Sequence, residues 1–161
     1  MAQPEPWIDW TGQPVLEPLR TIRPGASAVV FDGEGRLLLH QRADNQHWAL
    51  PGGGMDPGET IAQTCLREVR EETGLEVAIV RLIGIYSDPA QYAIARYPTG
   101  ELHQILNVCF ECRVIGGSLR LSAESIQVGF FDPSALPQPL LLPHRVRIQD
   151  ALRREAAPVV R

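Results

Sequence analysis

The chain has 161 residues, close to the length of one ordinary domain. Its formal charge of −4 and isoelectric point near 5.5 leave no basic field to hold a nucleic-acid backbone. All 15 basic residues are Arg, so a P-loop lysine, a Schiff-base lysine and a Ser–Lys dyad are excluded together, and the chemistry is left to carboxylates, His, Arg and Cys.

Residues 1–25 read as an extended arm, rich in Pro and carrying Trp7 and Trp10, whose indoles are expected to dock on the body or on a second subunit. A globular domain is expected over 26–157. Pro4, Glu5, Pro6 and Asp9 stand where a signal peptide needs a charged start and an apolar run, and no stretch approaches a membrane span. A cytoplasmic, soluble protein with no membrane or nucleic-acid partner is the expectation. Residues 26–41 are two apolar runs separated by Asp32-Gly33-Glu34-Gly35, which is a hairpin pattern. A loop over 43–58 ends in Pro51-Gly52-Gly53-Gly54. The spacing predicts a helix over 59–72, capped by Asp56 with Glu59 three residues on and Pro57 in the first turn. Ile61, Cys65, Leu66 and Val69 form its apolar stripe, and Gly74 stops it.

A strand over 77–86, a long loop over 87–100 and a strand over 102–115 follow, then short strands at 119–121 and 128–131 and a closing amphipathic helix at 143–155. For that helix Val146, Ile148 and Leu152 are the expected apolar contacts. Strands on both sides of one helix, with a second helix at the end, predict an α/β fold with a mixed sheet between helices. Cys65, Cys109 and Cys112 lie in apolar surroundings. The C-x-x-C of Cys109 and Cys112 falls in a strand, where positions three apart point to opposite faces, so buried core thiols are expected rather than a metal or redox pair.

The chemistry concentrates between Gly53 and Leu75. On a helix, Glu68 and Glu72 stand about 40° apart on one face, and Glu71 lies one turn from Arg67. Three carboxylates crowd the helix C-terminus, where the macrodipole already opposes anions. That costs stability unless a hard divalent cation, Mg²⁺ or Mn²⁺, sits on them. A solvated acidic face is the bland alternative, but the triple glycine before the helix lets backbone approach a ligand closely.

Gly53, five residues, Glu59, seven residues, Arg67-Glu68-Val69, one residue, Glu71-Glu72, one residue, Gly74-Leu75 resembles the Nudix box at every defined position. The lead-in, the hairpin and the later strands extend the resemblance over about residues 26–140. It implies a Nudix-type α/β/α sandwich and a Mg²⁺-dependent hydrolase that cleaves the diphosphate linkage of a nucleoside di- or triphosphate derivative. Glu68, Glu71 and Glu72, with the Gly52 carbonyl, would be the metal ligands. Arg67 and Glu59 would hold those ligands in place. A carboxylate would take the proton of the attacking water: Glu124 is favoured, with Glu101 and Glu68 itself as the alternatives.

For the substrate, Arg42 is a candidate phosphate contact or a surface ion pair, and Trp48 stacks a base or packs the loop. Gly53 and Tyr92 complete the candidate binding residues. Pro89 and Tyr92 lie near the spacings linked to ADP-ribose and dinucleoside polyphosphate hydrolases respectively, and the two signals conflict. A (d)NTP pyrophosphohydrolase is favoured, then ADP-ribose or another sugar nucleotide, then dinucleoside polyphosphates. His40, His47 and His144 show no zinc-ligand spacing, and His103 reads as a surface residue. The rival classes are a non-catalytic nucleotide-binding or regulatory module on the same scaffold and an isoprenoid diphosphate isomerase. A homodimer is expected because one small core leaves the aromatic arm unexplained.

Overall fold

The computed structural model describes residues 6–161, so the first five residues of the predicted arm, including Pro4 and Glu5, lie outside the described residues. Strand β1 (Ile22–Phe31) and strand β2 (Leu37–Arg42) form the expected hairpin around Asp32, whose side chain accepts the backbone N–H groups of Glu34 and Arg36. β3 (Trp48–Ala49) and β4 (Gly52–Gly54) carry the chain back along β2 and β1 to helix α1 (Ile61–Thr73). Then come β5 (Leu75–Tyr86), a 3-10 turn (Pro89–Gln91), β6 (Ile94–Arg96), β7 (Leu102–Gly117), β8 (Ser125–Phe131), helix α2 (Leu142–Arg153) and β9 (Val159–Val160). The sheet runs β3-β2-β1-β7-β5-β9, with β1 parallel to β7 and β5 antiparallel to it.

Alternation along the strands divides the core between the two faces. Ala26, Ala28 and Val30 of β1 join Leu38, Cys65, Val69 and Cys112 beneath α1. Val29, Leu37, Leu39, Ile83 and Cys109 pack with Ile148 and Ala151 of α2 on the other face. The sheet is therefore sandwiched between the helices, as expected, and Cys109 and Cys112 sit on opposite faces as buried free thiols.

Several expectations are corrected. The helix starts two residues later than predicted, because Thr60 rather than Asp56 caps it. The Thr60 side chain accepts the Gln63 N–H while the Gln63 side chain accepts the Thr60 N–H. Gly74 closes it in the left-handed region at φ 77°, donating to the Arg70 carbonyl. Leu66 is exposed, and Thr64 is buried in its place, with its hydroxyl bonded to Glu59 and the Thr60 carbonyl. Residues 119–121 form no strand: Gly117 breaks β7 at φ 77°, and the Arg120 N–H donates to the Thr73 carbonyl at the helix end. The predicted loop 87–100 contains β6, paired with β7, and β9 adds an unpredicted edge beside β5. Leu152 faces solvent. Residues 22–25, assigned to the arm, belong to β1.

The arm folds onto its own chain. The Trp10 N–H donates to the Ile94 carbonyl, and the Leu142 N–H donates to the Trp10 carbonyl. Asp9 is fully buried and accepts from Arg96 Nε at 2.7 Å and from Thr11 and Gln13. These contacts dock Asp9 and Trp10 on the body of the same chain, while Trp7 stays exposed. No helix among the described residues is long and apolar enough to cross a membrane.

Candidate active site

One cavity of about 500 Å³ opens at the end of α1 and runs between the glycine loop, the arm and α2. Its size is that of a small-ligand site. Gly52, Gly53, Arg67, Glu68, Glu71, Glu72, Glu124, Arg42 and Tyr92 all line it. The box residues reach it because α1 turns once every 3.6 residues and its Glu68–Glu72 face meets β4. The glycines are there for space. A Cβ at Gly52 would run into the Ala26 carbonyl oxygen on β1, and one at Gly53 would lie 2.5 Å from Glu68 Oε1.

Arg67 organises the carboxylates. Its guanidinium grips Glu59 through Nε at 2.6 Å and Nη2 at 3.0 Å, and Nη2 also donates to the Gly54 carbonyl. Nη1 donates to Glu68 Oε1 at 2.7 Å and to Glu71 Oε2 at 3.1 Å. The Arg67 hydrogen bonds hold Glu59 down at about 2. Glu72 is 4% exposed and accepts the Gly52 N–H at 2.8 Å. Burial pushes its carboxyl up to about 8, and the charges of Glu68 and Glu124 push the same way. Burial also raises Glu68, with Glu71 and Glu124 adding to the shift. Negative charge here is thus under-compensated by the protein.

Among the described residues no three His, Cys, Asp or Glu side chains converge as a ready metal cage. Arg67 occupies oxygens of Glu68 and Glu71, and the glycine loop holds Glu72. The donor chemistry nevertheless fits a hard divalent cation: carboxylate oxygens that repel one another, bordering a cavity, with a buried His40 Nε2 that has no hydrogen-bond partner beside Glu72.

The remaining predicted residues are placed differently. Glu124 is exposed on the cavity wall, anchored by its N–H to Ser122 Oγ and its carbonyl to the Ala43 N–H. Glu101 lies in a separate groove, bonded to Thr99, and does not border the cavity. Arg42 spends Nε and Nη2 on Asp44 at 2.9 and 2.7 Å and covers the Trp10 ring at 5.2 Å. Trp48 does not reach the cavity. It is 5% exposed, edge-on to Phe131 at 4.9 Å in the α2-side core, because the β2–β3 pairing turns it inward. The tryptophan on the cavity is Trp10, from the arm.

Sequence reasoning missed Trp10, Asn107, His144 and Arg147 as cavity residues, and His40 as a neighbour of Glu72. His40 carried a signal. It lies two residues after Leu38 in β2, on the face that meets α1, and Glu72 lies one turn after Val69 on the helix packed there. His103 is buried, not a surface residue, and contacts Thr21 and Tyr97.

Comparison with known proteins follows this geometry. The NUDIX domain model matches residues 21–154. A MutT-like protein of Streptomyces ambofaciens is 34% identical over 135 residues, covering 84% of this chain and 79% of that one. An ADP-ribose pyrophosphatase of Methanocaldococcus jannaschii is 35% identical over 133 residues, covering 78% and 73%. The crystal structure of an ADP-ribose pyrophosphatase from Streptococcus suis superposes with a TM-score of 0.64 at 26% identity, covering 86% of this chain and 97% of that one. With the box lining its main cavity and a family match over most of its length, the chain belongs to the Nudix (MutT-like) family of hydrolytic enzymes.

Proposed function

We propose that the protein is a Mg²⁺- or Mn²⁺-dependent pyrophosphohydrolase that cleaves the diphosphate linkage of a nucleoside di- or triphosphate derivative, with a (d)NTP as the favoured substrate. The observation that carries this reading is the crowding of Glu68, Glu71, Glu72 and Glu124 on one cavity, where burial first and the neighbouring charges second raise the carboxyls of Glu68 and Glu72. Glu68, Glu71 and Glu72, with the Gly52 carbonyl, would hold the cation. When bound, it would offset the diphosphate charge and lower the pKa of a water. Arg67 keeps Glu68 and Glu71 oriented while neutralised by Glu59. The Gly52 N–H fixes Glu72. Glu124, exposed on the same cavity as the box glutamates, takes the proton from the attacking water. Tyr92 and Arg42 border the substrate.

The likeness to the M. jannaschii ADP-ribose pyrophosphatase favours ADP-ribose as the second reading. A panel of (d)NTPs, ADP-ribose, sugar nucleotides and dinucleoside polyphosphates, with product analysis, separates them. Nucleoside monophosphate plus pyrophosphate is expected; a monophosphate plus a sugar phosphate moves the assignment to the second reading. Glu72→Gln is expected to lose orders of magnitude in kcat while remaining folded. Retained turnover in that variant overturns the metal assignment.

A further inference from the structure

His40 is buried on β2 and stands between two groups that come from distant parts of the chain. Its Nδ1 lies 2.7 Å from the Ser125 hydroxyl at the start of β8. Its Nε2, buried and unpartnered, lies 3.5 Å from Glu72 Oε2 near the end of α1. The Ser125 hydroxyl is 3.2 Å from that of Ser122, and Ser122 Oγ accepts the Glu124 N–H at 3.3 Å. An unbroken file of polar groups thus connects the segment that carries Glu124 to the carboxyl of Glu72.

The direction of each link follows from what each group can give. A backbone N–H only donates, so Ser122 accepts from Glu124 and keeps its own proton for Ser125. Ser125, accepting there, has one proton to give, and it meets His40 Nδ1. A neutral imidazole that accepts at Nδ1 carries its proton on Nε2, the nitrogen that faces Glu72 Oε2. Oε2 already accepts the Gly52 N–H at 2.8 Å. Both donors therefore converge on one oxygen, and Oε1 receives none among the described residues. A carboxyl held in this way cannot rotate, and it offers one fixed oxygen to a hard cation.

We infer that His40 is a positioning residue for the hydrolysis: ordered through Ser122 and Ser125, it donates from Nε2 to Glu72 Oε2, leaves Oε1 to the divalent cation, and ties that ligand to the segment carrying Glu124. The contact to Glu72 is the loosest link in the file, at the long limit of an N–H···O bond. An ionised ligand carboxylate is the stronger acceptor and tightens it. The inference rests on the metal reading above and adds the residues that orient the ligand.

The test uses the full-length protein without substrate. NMR of the histidine ring nitrogens in metal-free protein at neutral pH is expected to show His40 with its proton on Nε2; a proton on Nδ1 overturns the inference. Mn²⁺ alone is then titrated, with the free ion read by electron paramagnetic resonance. His40→Asn keeps an amide at the Ser125 end and loses the donor toward Glu72, whereas His40→Gln carries its amide nitrogen to the place of Nε2. His40→Asn is expected to weaken Mn²⁺ binding about 10- to 100-fold, and His40→Gln to restore most of it. Equal loss in the two variants overturns the inference, because lost packing alone would produce it. Should neither variant fold, Ser125→Ala decides: weaker Mn²⁺ binding is expected, and unchanged binding overturns the file. If the wild-type protein holds no Mn²⁺, the cation assignment itself fails; if it does and His40→Asn holds it equally well, the positioning role fails alone.

Discussion

His40 Nε2 lies 3.5 Å from Glu72 Oε2, and both side chains are buried. Burial drives them in opposite directions: His40 down to about 4 and Glu72 up to about 8. In the metal-free protein at neutral pH both are therefore held uncharged, and the site stores a proton that a divalent cation would displace.

That storage sets a pH dependence. Glu72 has its folded pKa above the ordinary 4.5, so its contribution to stability is present at pH values below 4.5 and lost as pH rises toward 8. His40 has its folded pKa below 6.5, so its contribution is present above 6.5 and lost as pH falls toward 4. Between pH 6.5 and 8 Glu72 dominates, opposed weakly by His40 and His144, whose unfolded-state imidazoles finish losing their protons there. Chelated protein is expected to lose roughly 1–2 kcal/mol of stability across that interval, measured by urea unfolding. Glu72→Gln should flatten that slope, and a flat wild-type curve refutes the assignment.

The glycines of β4 separate stability from activity. Gly52→Ala sets a Cβ against the backbone of Ala26 and Ser27, which cannot yield, and is expected to cost roughly 1–3 kcal/mol. Gly53→Ala meets only the carboxyl end of Glu68, which can swing away. Its stability should change by less than about 0.5 kcal/mol, while misplacing Glu68 lowers kcat about 100-fold. Comparing urea midpoints with turnover decides it.

Arg67→Lys keeps the charge but loses the fork that spans Glu59, Glu68 and Glu71. The magnesium activation curve should move to about 10- to 100-fold higher concentration, with most of kcat recovered at saturation. An unmoved curve would show that Arg67 does not orient the ligands.

Asp9 ties the arm to Arg96 and so holds Trp10 on the cavity. Asp9→Ala leaves buried donors unsatisfied at a cost of roughly 1–3 kcal/mol. KM should rise by a larger factor than kcat falls, since the arm borders substrate and does not touch the carboxylates. Steady-state kinetics that show the reverse would place the arm in the chemistry.

Much of this molecule was legible before any coordinates. The box glutamates announce themselves by spacing, Gly74 marks the helix end, and the two-residue alternation around Cys109 and Cys112 assigns each thiol to its face. The cap was misread because Asp56 and Thr60 both offer a side-chain oxygen with a suitable residue three positions on, and only the path out of the glycine loop selects Thr60. Trp48 packs in the core and Trp10 borders the cavity for a similar reason: an indole near a loop does not say which side of the sheet it will join.

What the sequence determined by itself is whatever repeats within a turn or a strand: the carboxylate face of α1, the first hairpin and the two helices. Only the tertiary structure could bring Trp10, Asn107 and Arg147 to one cavity, or set His40 against Glu72, because those residues come from separate elements with no local pattern linking them. Their meeting depends on β7 inserting parallel to β1 and on α2 covering the face opposite α1. Such long-range packing is decided by burial of the whole core, whereas a helix or a turn answers to its nearest neighbours.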